Sequence, residues 1–214
     1  MNISTDYTYR WVLTGSVCGI LALIVYPLLI FVELPQQMGV VLAAAFGPLL
    51  LVAFVGLYFI LSLHKRTVSA VLGSILSATG AVLVNLMMLV QLSVKIGSRE
   101  YMENADIATV ADIQWITRIV NKVQLGIDVS WDVFVSLGTI LFGIAMIRHP
   151  RFGKIIGIPG IIIGLLLLFT NLQSFPTPPA EAGSFDFGPV MGLWYLAVVI
   201  MSLASLQWIK KFHH

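Results

Sequence analysis

Asp128 and Asp132 are the residues of this chain whose type and spacing point most directly to chemistry. At i and i+4 they share one face of a helix, about 6 Å apart along its axis. They stand near the start of a long apolar run, beside Trp131. An aspartate at the centre of a bilayer costs about 2.5–3.5 kcal/mol on insertion scales, and less near the interface. Two like charges on one face also repel. Such a pair needs compensation: a basic partner, water, a bound cation, or polar groups of a surrounding bundle. With compensation, a carboxylate pair can bind a small cation, handle protons, or act as general acid and base. A purely structural alternative sets both residues in wet headgroup territory. There Asp128 marks a helix start, where negative charge favours the N-terminal dipole, and Arg118 or Lys122 supplies the neutralising base.

The rest of the chain must position that pair, and its composition says in what solvent. Hydrophobic residues make up 58% and charged residues 10% of the 214 positions, and the mean hydropathy is +0.96. A spanning helix needs about 20 mostly apolar residues. Six runs qualify: Trp11–Val32, Val40–Leu63, Val68–Val94, Gln124–Ile147, Ile155–Gln173 and Gly188–Trp208. They consume most of the chain, so the expectation is one integral membrane domain over residues 1–214, an all-α bundle of six transmembrane helices. A β-barrel would alternate apolar and polar residues over about ten positions, and Ile161–Phe169 (IIIGLLLLF) does not. The first run exceeds the roughly 7–15 residues of a secretory h-region, so it is expected to be a retained span. His213–His214 are native or the stub of a tag and carry no assigned role.

Charge gives the expected orientation. With six spans, Arg10, Lys65, Arg66, Arg148, Arg151, Lys154, Lys210 and Lys211 share one side. Lys95, Arg99, Arg118 and Lys122 lie on the other among acidic residues, and its two short loops hold Glu33, Glu181 and Asp186 without a base. Lysine and arginine gather on the cytoplasmic side of short loops, so both termini are expected in the cytoplasm. Between Asp106 and Val123 the apolar residues Ile107, Val110, Ile113, Ile116, Val120 and Val123 recur every three or four positions. This is an amphipathic extracytoplasmic helix preceding span four, lying on the membrane or over the bundle end, or acting as a lid, with Asn104 or Asp106 as its cap.

That topology gathers the intramembrane polar groups into one outer layer. Asn85 and Gln91 fall in the outer half of span three, Asn171 in the last turn of span five, and Glu33 at the outer end of span one. With Asp128, Asp132 and Trp131 they form the candidate ligand-binding set. Small-residue stripes at Gly15/Gly19, Ser69/Gly73/Ser77/Ala81, Gly153/Gly157 and Gly160/Gly164 are packing devices. Pro27, Pro48 and Pro159 lie within or near the starts of spans, where each removes a backbone donor. Phe46–Gly47–Pro48 and Phe187–Gly188–Pro189 each open a span and hint at a repeated hairpin. His64 and His149 are expected to be solvated or headgroup-facing, and the turn Arg148–Lys154 to contact anionic lipid. Trp11, Tyr101, Trp194, Tyr195 and Trp208 fit interfacial belts or bundle packing, and Met87–Met88 core or lipid-facing positions.

Familiar chemistry is missing from the sequence. It contains no HExxH, GxSxG, P-loop or GxGxxG. Cys18 is the sole cysteine, which leaves no intrachain disulfide and no cysteine-based zinc site. No cofactor or metal is expected, and a net charge of +2 spread over short loops gives no nucleic-acid stripe. The segment Leu125–Asp132 (LGIDVSWD), followed by Gly138 and the turn His149–Gly153 (HPRFG), resembles uncharacterised bacterial integral membrane proteins with six spans. The resemblance implies a bacterial inner membrane and transfers no activity. The first functional expectation is an outward-facing acidic pocket that binds a small cationic or polar ligand, or protons, for transport or sensing. The second is a non-catalytic membrane subunit whose small-residue faces and outer helix engage a protein partner or a second copy. The third is a membrane-embedded enzyme using the aspartates.

Overall fold

The computed structural model describes residues 5–103 and 105–211; Asn104 and His213–His214 lie outside them. All regular structure among the described residues is helical. The helices are α1 (Thr5–Phe31), α2 (Gln36–His64), α3 (Val68–Glu103), α4 (Ile107–Met146), α5 (Gly153–Ser174), α6 (Gly188–Ala204) and the short α7 (Leu206–Lys210). Six segments, the sixth running through α6 and α7, are long and apolar enough to cross a membrane. This is the outcome expected where lipid offers backbone groups no partner and each span must satisfy its own.

Two boundaries differ from the sequence expectation, and both matter for the site. The amphipathic stretch and span four are one uninterrupted helix, α4, of 40 residues. Helix α3 continues past Val94 to Glu103. At 1.5 Å per residue the pair measures about 54 and 60 Å, nearly twice the ~30 Å hydrocarbon thickness. Nothing between Asp106 and Met146 breaks a helix, since that stretch contains no proline. Asp106 caps the start of α4, its side chain accepting from the Thr109 N–H at 2.8 Å. Hydrogen bonding from the Thr109 side chain, and then from its N–H, holds the Asp106 carboxyl below the usual carboxylate range. Asp128 therefore lies far inside α4, and the reading that placed it at a helix N-terminus is corrected.

Each helix packs on its chain neighbour, and α6 closes the ring against α5 and α1. Small residues set the spacing. A Cβ on Gly15 would meet the Gly56 Cα at 2.7 Å, so α1 and α2 touch backbone to backbone. A Cβ on Gly157 would meet the Gly143 carbonyl at 2.6 Å across the α4–α5 contact. Gly160 leaves room for the Trp194 ring, whose Nε1–H donates to the Ile156 carbonyl at 3.0 Å. Met87 and Met88 are buried in a cluster with Val84, Phe46 and Ala43. The two Phe–Gly–Pro motifs occupy different places in their helices. Phe46–Gly47–Pro48 sits in the middle of α2, whereas Phe187–Gly188–Pro189 forms the first turn of α6.

The start of α1 and α7 meet at one end of the bundle, where Lys210 Nζ lies 4.8 Å from the centroid of the Tyr9 ring. His149 locks that end. Contrary to the expectation of a solvated side chain, it is 2% exposed. Its Nε2 lies 3.2 Å from the Ile60 carbonyl, and its Nδ1 accepts from the Arg151 N–H. The ring packs against Phe152, Trp208 and the exposed His64. Arg151 in turn donates from Nε to Ser205 Oγ at 3.1 Å, holding the break between α6 and α7. One nitrogen donating and one accepting requires the neutral imidazole. Burial first, and then the nearby His64 and Arg151 charges, push the His149 pKa down to about 4, against the hydrogen bond to Ile60.

A histidine protonated more readily when unfolded than when folded contributes stability that is complete above its unfolded pKa and declines toward its folded one. The stability advantage of the wild type over His149→Gln is therefore expected to be largest above pH 6.5 and to shrink as the pH falls toward 4. Thermal unfolding of both proteins in detergent across that range measures the difference.

Candidate functional site

At the bundle end away from the termini, α3 and α4 outrun the apolar zone and the α5–α6 loop folds against them. The space between them is a cavity of about 570 Å³. Helical periodicity supplies its walls. Gln91, Lys95 and Ser98 line it from α3, spaced i, i+4, i+7, and Thr117, Asn121, Gln124, Leu125 and Asp128 line it from α4, also on one face. Pro176, Thr177, Pro178 and Glu181 come from the α5–α6 loop. The proline-rich α5–α6 loop is thus one wall of the cavity.

The structure divides the sequence-derived candidates. Asp128 and Gln91 line the cavity. Asp132 lies one turn deeper and is 7% exposed. It has neither an ion pair nor a hydrogen bond to any described residue; the ion pairs among them are Asp6–Arg10 and Arg99–Glu103. Neither Arg118 nor Lys122 neutralises the aspartates. Trp131 bridges the two hydrophobic clusters and covers Gly80, a packing role. Asn85 faces α2, its Oδ1 accepting from the Gly47 N–H at 3.3 Å. Asn171 is buried and donates back to the Leu167 carbonyl of its own helix. Glu33 is exposed in the α1–α2 connection and does not line the cavity.

Three further groups belong to the aspartates' surroundings. Asp186, in the turn before α6, accepts from the Gly188 N–H at 2.8 Å and acts electrostatically on both Asp128 and Asp132. Tyr26 of α1 lies within electrostatic reach of all three carboxylates. Gln124, one turn above Asp128, is 9% exposed and lines the cavity. Among the described residues, no three of His, Cys, Asp or Glu are placed to hold a metal ion.

Polarity continues below Asp132 along the same side of α4. Positions 124, 128, 132, 136 and 139 fall within about a third of the helix circumference. Ser136 and Thr139 are fully buried. Thr139 Oγ1 lies 2.7 Å from the Tyr195 hydroxyl of α6 and also bonds the Val135 carbonyl. Ser77 of α3 stands beside the same Tyr195 hydroxyl, but its Oγ, like that of Ser136, makes no hydrogen bond to another described residue. Beneath this hydroxyl group the interior turns aromatic and aliphatic. Phe54 packs on Tyr195 at 5.4 Å and on Phe142 at 6.4 Å between ring centroids, with Met146, Ile60 and Val198 around them. The interior is therefore polar at one end, hydroxylic in the middle and sealed toward the chain termini.

Sequence reasoning missed Lys95, Glu181 and Asp186 as neighbours of the pair, because span three was expected to end at Val94 and the path of the α5–α6 loop leaves no mark in its composition. It also missed the Ser77–Thr139–Tyr195 group. The three- and four-residue spacing of Asp132, Ser136 and Thr139 was the available signal. No family model, characterised protein or solved structure matches this chain.

A polar side chain drawn mostly out of water without a protein partner costs up to about 1–3 kcal/mol, which replacement by an apolar residue of similar size recovers. Asp132→Leu is accordingly expected to unfold at a higher temperature than the wild type in detergent. A lower unfolding temperature would identify Asp132 as a structural contributor instead.

Proposed function

We propose that the chain is a multi-pass membrane protein with both termini in the cytoplasm and a polar vestibule open to the opposite side. In this reading the vestibule receives a small cationic or polar ligand, or protons, for transport or sensing. The observation that carries it is Asp132, buried and unpartnered one turn below a cavity lined by Asp128. A polar group kept inside a membrane bundle at a stability cost is by default a functional one. The sealed end around Phe54 and Phe142 supports a vestibule with a single mouth. The surplus of lysine and arginine beside the termini supports the orientation, and the α4 stretch before Gln124 then projects as an amphipathic extracytoplasmic wall. Asp128 forms the first contact and Asp132 the inner one, with Gln91 and Gln124 as neutral hydrogen-bonding groups.

Ligand occupancy stabilises a folded protein in proportion to the logarithm of ligand concentration over Kd. Purified wild type is expected to gain thermal stability in a screen of monovalent cations and small amines, and Asp128→Asn and Asp132→Asn are expected to lose that gain. An identical response in wild type and both variants would remove the aspartates from any binding role.

A further inference from the structure

The vestibule carries charges of both signs. Asp128 and Glu181 supply carboxylates, and Lys95 and Lys122 supply ammonium groups. None of the four is in an ion pair: those among the described residues lie elsewhere, at Asp6–Arg10 and Arg99–Glu103. Four unpaired charges around one concavity match a ligand that brings both signs itself. A simple amine would satisfy the carboxylates and meet two like charges at the lysines. A simple anion would meet the reverse.

The arrangement also has a direction. Lys122 precedes Asp128 by six residues, about 9 Å along α4, and Asp128 is half-buried while Lys95 and Lys122 are exposed. The carboxylate is the inner group and the lysines form the rim, with Gln91 and Gln124 between them as amides able to donate and accept. Resting on the vestibule reading above, we propose that its ligand is a zwitterion that carries an ammonium and a carboxylate or phosphate. The ammonium enters first, toward Asp128, and the anionic group stays at the rim between Lys95 and Lys122. Two sources offer this chemistry: a free solute such as an amino acid or phosphoethanolamine, and the headgroup of phosphatidylethanolamine.

Thermal unfolding of the purified full chain separates these cases. In delipidated detergent solution, β-alanine or phosphoethanolamine at saturating concentration is expected to raise the midpoint by about 2–4 °C, with methylammonium and acetate much less effective. Asp128→Asn and the double variant Lys95→Gln/Lys122→Gln are expected to abolish the rise. If the soluble zwitterions fail but discs of phosphatidylethanolamine stabilise the wild type over discs of phosphatidylglycerol, and the same variants remove that advantage, the zwitterion is the lipid headgroup. Stabilisation by methylammonium equal to that by β-alanine, lost in Asp128→Asn but kept in the double lysine variant, would overturn the zwitterion while leaving a cation site. No stabilisation by any of these probes would overturn both.

Discussion

Hydrocarbon gives a peptide N–H or C=O nothing to bond, and every other property of this structure follows from how the chain meets that condition. Helices satisfy their own backbones, so the chain becomes six of them. Apolar side chains lose no water by packing on each other rather than on lipid, so the hydrophobic effect does not decide which faces meet. Close approach does. The Gly15–Gly56 and Gly143–Gly157 contacts bring backbones together, and Trp194 lies over Gly160. These contacts hold the helices in a ring whose interior contains side chains that lipid would not accept.

Seen from the interior, polarity is graded along one side of α4. Charged and amide groups surround the cavity, Asp132 lies beneath them, hydroxyls follow at Ser136 and Thr139, and Phe142 ends the series. The gradient matches a passage in which water penetrates from one end and is excluded at the other. The terminal end is closed by a different device, a neutral imidazole wedged between the Ile60 carbonyl and the Arg151 amide, with Arg151 reaching on to Ser205. The turn that joins α4 to α5 thereby ties α2, α5 and the α6–α7 break into one unit. A rearrangement that opened the sealed end would have to release His149.

The fold was legible in the sequence because its signals are long-range in composition and local in cause. Twenty apolar residues form a spanning helix whatever their neighbours. The aspartate pair was legible for the same reason, since i and i+4 define a face without tertiary information. What the sequence concealed lay in continuity and partnership. Apolarity fades at Val94, and the amphipathic stretch before Gln124 reads as a helix of its own, because hydropathy cannot show that two helices leave the membrane without a break. That one difference moved Lys95, Lys122 and Asp128 onto facing walls and removed Asp128 from a helix start. Asn85 and Asn171 lie within α3 and α5, but rotation about the helix axis turns the first toward Gly47 and the second back on its own backbone. His149 looked solvated because its neighbours in sequence are basic, while its neighbours in space are Phe152, Trp208 and Ile60.

The vestibule we propose is water-filled, opens away from the cytoplasm and ends above an aromatic seal. Thiol accessibility measures it directly in a background where Cys18 is replaced by serine. Single cysteines at Gln91, Asn121 and Gln124 should react with a membrane-impermeant maleimide added outside intact cells, and cysteines at Phe142 and Val198 should not. Labelling of the first group only after the cytoplasmic face is exposed, or equal labelling of both groups from outside, would contradict it.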